Sequence, residues 1–64
     1  MIRININGPD GNAFALMAYV DKLGPQLGKD AGAICERMMN ADSYTQLCDI
    51  FSEEFRGVAI LVRE

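Results

Sequence analysis

The sequence predicts an α+β domain of order β-α-α-α-β, and three observations carry that prediction. "IRININ" alternates strictly between apolar and polar residues, Ser43–Phe55 joins a capping-box spacing to a clean amphipathic run, and an apolar stretch, "VAILV", follows Gly57. Two strands at the ends of so short a chain most simply pair with each other, since each alone would leave its backbone groups without partners. The expected sheet is two-stranded with the helices packed on one face. An antiparallel pair is favoured on base rates, a parallel return being the alternative.

The first strand places Ile2, Ile4 and Ile6 on one face and Arg3, Asn5 and Asn7 on the other. Gly8, Pro9, Asp10 and Gly11 then break it, Pro9 by fixing φ and the glycines by permitting a positive φ. A helix should begin at once, capped by Asp10, or by Asn12 if it starts later, and run to about Leu27. Ala13, Leu16, Met17, Val20 and Leu23 form one stripe of this helix. Phe14, Ala15, Ala18 and Tyr19 fill most of the remaining circumference, so it should be central to the fold or shared with a partner. Pro25 crowds the carbonyl of Asp21 and predicts a kink or break near Gly24, with Gly28 just past the end.

Asp30 is placed to cap a short second helix whose apolar face is Ala31, Ile34, Cys35 and Met38, ending near Asn40. Ser43 and Gln46 have the capping-box spacing, in which each side chain reaches the other's backbone N–H. The third helix follows, with Tyr44, Leu47, Cys48, Phe51 and Phe55 on its apolar stripe and Gln46, Asp49, Ser52 and Glu53 opposite. Arg56 favours the negative end of the helix dipole, and Gly57 stops it. The last strand is apolar on both faces and should be the more buried of the two.

The 64 residues form a single domain, 1–64, with no repeat or linker, and a chain of that size buries only roughly 60% of the surface it exposes when unfolded. A net charge of −3, with the acids spread along the chain, argues against direct nucleic-acid binding. The opening "MIRININ" has no secretory pattern, and no apolar run approaches the roughly 20 residues that span a bilayer. The expectation is a cytoplasmic protein that does not engage a membrane.

With no histidine, the usual general base near neutral pH and the commonest metal ligand are both missing. Cys35 and Cys48 lie on apolar stripes, where a thiol is inert, and two thiolates make a weak metal set. The protein is therefore read as no enzyme, with no catalytic residue, metal or cofactor.

Two kinds of binding site remain. The loop "GPDGNA" precedes a helix, so Gly8, Asp10, Gly11, Asn12 and Ala13 could hold a small anion, a nucleotide or phosphometabolite, on backbone N–H groups. The stretch lacks the lysine and hydroxyl of a P-loop and the third glycine of a dinucleotide fingerprint, and Asp10 adds a negative charge; a turn and helix cap is the favoured account. A protein partner would instead meet Phe14, Ala18, Tyr19 and Met39, or the acids Asp49 and Glu53 on the exposed side of the third helix, which could steer a basic surface.

The segments "GPDGNAFALMAYV", "QLG", "ERMMNADSY", "FSEEF" and "VAILV" together resemble a family of small uncharacterised proteins found mainly in bacteriophage genomes and in some bacterial ones. The resemblance covers nearly the whole chain, and Pro25 departs from its uninterrupted first helix. It implies a phage-type accessory protein that binds and inhibits or modulates a host protein, such as an antiviral defence component.

An excess of apolar surface also predicts a homo-oligomer. Association would proceed either by edge pairing of two sheets into a four-stranded one or by packing Phe14, Ala18 and Tyr19 across a two-fold axis.

Overall fold

The computed structural model describes residues Met1–Glu64. The order is β1 (Ile2–Asn5), α1 (Ala13–Gln26), α2 (Ala31–Met39), α3 (Tyr44–Glu54) and β2 (Ala59–Val62). The two strands form one small sheet, but they run parallel, with Ile2 beside Ala59 and Asn5 beside Val62. The antiparallel expectation is corrected here. Antiparallel pairs owe their frequency largely to hairpins, whereas a parallel pair needs a long crossover. Three helices supply one: a chain that reverses at each of four connections reaches its fifth element in the direction of its first.

The core lies between the sheet and the helices and contains no polar side chain. Helix α3 is its hub, approaching α1, α2 and β2, while α2 closes the far side against α1 and α3. Ile4, Ile6 and Ala59 meet Leu16, Val20, Leu47, Phe51 and Phe55 there. The thinnest dimension of the molecule, 17 Å, matches a two-layer build.

The far face of the sheet carries Arg3 and Ile60 and no layer covers it, so Ile60 keeps 43% of its surface exposed while Ile4 keeps 1%. Strand β2 is still the less exposed of the two, with Ile60 its one exposed residue where β1 exposes both Ile2 and Arg3. Apolar composition on both faces shows what could be covered, and here only one face has a covering layer.

Local chemistry explains the helix limits. Asn12, and not Asp10, caps α1, its side-chain oxygen accepting the Ala15 N–H at 2.8 Å. Asp30 accepts from Ala33 N–H at 3.1 Å, and Ser43 from Gln46 N–H at 3.1 Å. The return half of the capping box is displaced by one residue: the Gln46 side chain accepts from Asp42 N–H.

Pro25 does not break α1, which continues through it to Gln26. The proline sits in the last turn, where the missing N–H deprives only the Asp21 carbonyl of its helical donor. Gly28, at φ 69°, then reverses the backbone, with Lys29 N–H donating to Gly24 O at 2.9 Å and Gly28 N–H to Pro25 O at 3.2 Å. Gly24 is buried because α2 crosses there, and a Cβ on it would meet the Ala31 Cβ at 3.2 Å.

Candidate functional site

The loop between β1 and α1 is largely its own hydrogen-bond acceptor. Asn7 N–H donates to the Asn5 side chain at 3.0 Å, Gly8 N–H to Asn5 O at 3.2 Å, and Gly11 N–H to Gly8 O at 3.0 Å. The Asn12 amide donates to Pro9 O at 3.1 Å while its oxygen caps α1. Gly11 is pressed against the carbonyl of Ile6, so close that a Cβ there would lie 1.8 Å from the oxygen. In the first turn of α1, the N–H groups of Ala13 and Phe14 keep no acceptor within the chain. Asp10 is free of the capping role, and its carboxylate accepts the Tyr19 hydroxyl at 3.4 Å.

The residues expected to meet a protein partner are not brought together on one surface. Ala18 and Tyr19 line a shallow depression of about 320 Å³ with Asp10, Ala15 and Lys22. Asp49 and Glu53 line a groove of about 490 Å³ between α3 and β2, together with Ser52, Arg56 and Ile60. Met39 belongs to a third groove, about 360 Å³, where the N-terminal end of α1 meets the junction of α2 and α3. Beyond Met39 its walls include Ala13, Met17, Met38, Tyr44 and Leu47, and Ser43 is the one polar residue among its lining. At 84% and 64% exposed, Phe14 and Met39 are large apolar side chains held in water by helices that cannot bury them. Of the two alternatives for α1, central to the fold or shared with a partner, the first is not met: its buried residues, Leu16, Val20, Leu23 and Gly24, form a single arc.

Sequence reasoning did not single out Tyr44 as a groove wall or Arg56 as a neighbour of the β2 edge. Tyr44 lies on the apolar stripe of α3 but at its first turn, where the core has already ended, so the ring is left half out. Only the crossing of three helix ends shows this.

The two thiols are not activated. Burial pushes the Cys35 thiol up, and the nearby Asp21 carboxylate adds to the shift; Cys35 Sγ lies 3.9 Å from both Asp21 Oδ1 and Met17 O. Cys48 is buried and likewise pushed up, mainly by desolvation, although the Tyr44 hydroxyl and the Arg63 guanidinium work in the opposite direction. Tyr44 is raised as well, by burial first and by Cys48 second. No group of three or more His, Cys, Asp or Glu side chains is placed to hold a metal ion. No helix is long and apolar enough to cross a membrane.

A pH dependence follows from those directions. Each raised group ionises in the unfolded chain before it does in the folded one, so the folded state binds more protons above the ordinary values of 9.0 for a thiol and 10.0 for tyrosine. The stability they contribute is complete below pH 9 and declines as pH rises through 9 and beyond. Melting curves by circular dichroism should be flat in this respect from pH 7 to 8.5 and fall above it. Cys48→Ala should fall less steeply, and iodoacetamide at pH 7.5 should label Cys35 before Cys48. A Cys48 that labels first in the folded protein would contradict the assignment.

Comparison of the chain with protein-family models, with curated proteins and with solved structures gives no match.

Proposed function

We propose that the protein acts by binding, as a non-catalytic accessory protein that inhibits or modulates a host protein in the cytoplasm of an infected cell. The observation that carries this reading is the apolar groove walled by Met17, Met38, Met39, Tyr44 and Leu47. A small domain gains stability by burying such side chains, and apolar surface left concave and open is the usual form of a contact site. Methionine side chains are unbranched and polarizable, so they repack around an inserted aromatic or aliphatic anchor at little cost. The partner fitted to it presents one or two such anchors from a folded surface, and the exposed ring of Phe14, next in sequence to the groove-lining Ala13, adds to the contact. The phage-type resemblance supplies the host context, and the net charge of −3 favours a protein over a nucleic acid.

The test is capture from host lysate on immobilised protein, followed by reconstitution with the purified partner. The expected result is one stoichiometric protein, with affinity lowered about tenfold or more by Met39→Glu or Phe14→Glu, as charging a buried apolar contact does. Both residues are exposed, so neither variant should change the melting temperature. A nucleotide or phosphometabolite released on denaturation, with no protein retained, would overturn this reading in favour of the Gly8–Ala13 loop. Capture that both variants leave unchanged would remove the groove from it.

A further inference from the structure

We propose that a second copy of this chain docks at the free edge of β2, joining two sheets into one of four strands with the two α3 helices side by side across a two-fold axis. The proposal concerns a different surface from the methionine-lined groove and does not depend on it. It begins with the backbone. Val58 O accepts from Ile2 N–H and Val62 O from Ile6 N–H, both at 2.9 Å, so these residues turn their polar groups toward β1. Successive residues of a strand face opposite edges, which leaves Ala59, Leu61 and Arg63 facing outward. The Ala59 N–H is already spent on Phe55 O at 3.0 Å. What remains is Ala59 O, both groups of Leu61, and Arg63 N–H.

An antiparallel partner strand with the two-fold at Leu61 uses that set without remainder. Leu61 N–H donates to the partner's Leu61 O, Arg63 N–H donates to the partner's Ala59 O, and each bond occurs twice. The same register sets Ile60 against the partner's Val62 on the outer face of the sheet, extending an apolar band over both protomers. Natural edge strands are usually protected by a lysine, a proline or a bulge. "VAILV" has no charged residue and no proline.

The second observation is the charge pattern of the groove formed by α3 and the turn after it. Asp49, Ser52, Glu53 and Arg56 face the groove beside this edge. Glu53 is answered within the protomer by Arg37 at 3.4 Å, but neither Asp49 nor Arg56 has an ion-pair partner. Asp49 stands on α3 and Arg56 in the turn just beyond its end, seven residues on, and both line the same groove. An antiparallel helix pair related by a two-fold places Arg56 against the partner's Asp49 and Asp49 against the partner's Arg56.

The two requirements share one axis. The Ala59–Phe55 bond fixes the start of β2 to the end of α3. Leu61 lines the same groove as Ser52 and Glu53, so the centre of the strand pair lies alongside the C-terminal half of α3. The charge pairing, between Asp49 on α3 and Arg56 just beyond its end, is centred on the same C-terminal half of the helix, beside Ser52 and Glu53. Edge pairing alone hides only a narrow strip, and it is the helix pair that brings the contact toward the area of a stable dimer.

Sedimentation equilibrium on the full chain and its charge variants tests this. The unmodified protein should sediment as a dimer of the 7.1 kDa protomer at tens to hundreds of micromolar. Asp49→Arg and Arg56→Asp each set like charges together twice, so each alone should dissociate at least about tenfold more readily. Mixed in equal amounts they should recover the dimer as a heterodimer, since one copy then carries two arginines and the other two aspartates. Both side chains are exposed, so circular dichroism should show unchanged folds. A monomer at several hundred micromolar would overturn the proposal. So would a dimer indifferent to both swaps, with or without dissociation by Phe14→Glu, or swaps that weaken it but do not complement on mixing.

Discussion

Phe51→Ala is expected to lower the free energy of unfolding by about 3–5 kcal/mol, the range for removing a buried aromatic ring. A chain of 64 residues holds roughly 3–10 kcal/mol in total at the usual stability per residue. The variant should therefore be largely unfolded by mild urea, and close to its midpoint without any. The size of the effect follows from position. Phe51 is fully buried on the helix that touches α1, α2 and β2, and its ring lies 4.9 Å from that of Phe55. The cavity would open where every layer meets, and no neighbouring element could move in to fill it without leaving another contact. Phe14→Ala removes the same ring from a site that is 84% exposed and should change stability by no more than about 0.5 kcal/mol. Urea unfolding followed by circular dichroism gives both values. A Phe51→Ala midpoint close to that of Phe14→Ala would show that α3 is not the hub of the core.

What was legible in the sequence was local. The alternation of Ile2, Ile4 and Ile6, and the caps Asp30 and Ser43, depend on neighbours within a few residues, and the structure keeps them. The parallel pairing of the strands was not legible, because it depends on how many times the intervening chain reverses and not on any residue in β1 or β2. The open face of the sheet was hidden for a different reason. A small chain has more apolar side chains than its interior can take, so the composition of β2 reads as covered on both faces although no layer is left to cover Ile60. Ile50 shows the converse. It lies off the stripe through Leu47 and Phe51, yet it is buried, because a helix contacting three elements has a wider buried arc than one stripe. The candidate contact residues are similar: Met39, Asp49 and Glu53 stand out by residue type, and their separation onto different grooves comes from the packing of the helices.

Gly11→Ala is expected to have the second largest effect, about 1–3 kcal/mol, and Gly8→Ala almost none. The two glycines of the loop look equivalent in sequence and are not so in space. A Cβ on Gly11 would stand 1.8 Å from the Ile6 carbonyl oxygen and 2.5 Å from its carbon, whereas one on Gly8 would meet nothing nearer than the Asn5 side chain at 3.5 Å. The obstacle at Gly11 is backbone, so no rotamer change relieves it. If Ile6 yields, its N–H loses alignment with Val62 O, now at 2.9 Å, and its side chain is drawn out of the core. If the loop yields instead, the Gly11–Gly8 bond opens and Asn12 is pulled away from the Ala15 N–H, which costs about 1 kcal/mol for the cap alone. Amide spectra should show which occurs, by shifts confined to Ile6 and Val62 in the first case or spread over Gly8–Ala15 in the second. The asymmetry also bears on the loop's purpose. A loop whose glycines exist to let a ligand approach the backbone would tolerate an alanine at neither position for binding, yet at both for folding. A turn folded onto the end of β1 requires glycine at position 11 alone, for folding. Equal stability of the two alanine variants would remove the close approach to Ile6 as the reason for Gly11 and return the loop to the ligand-site reading.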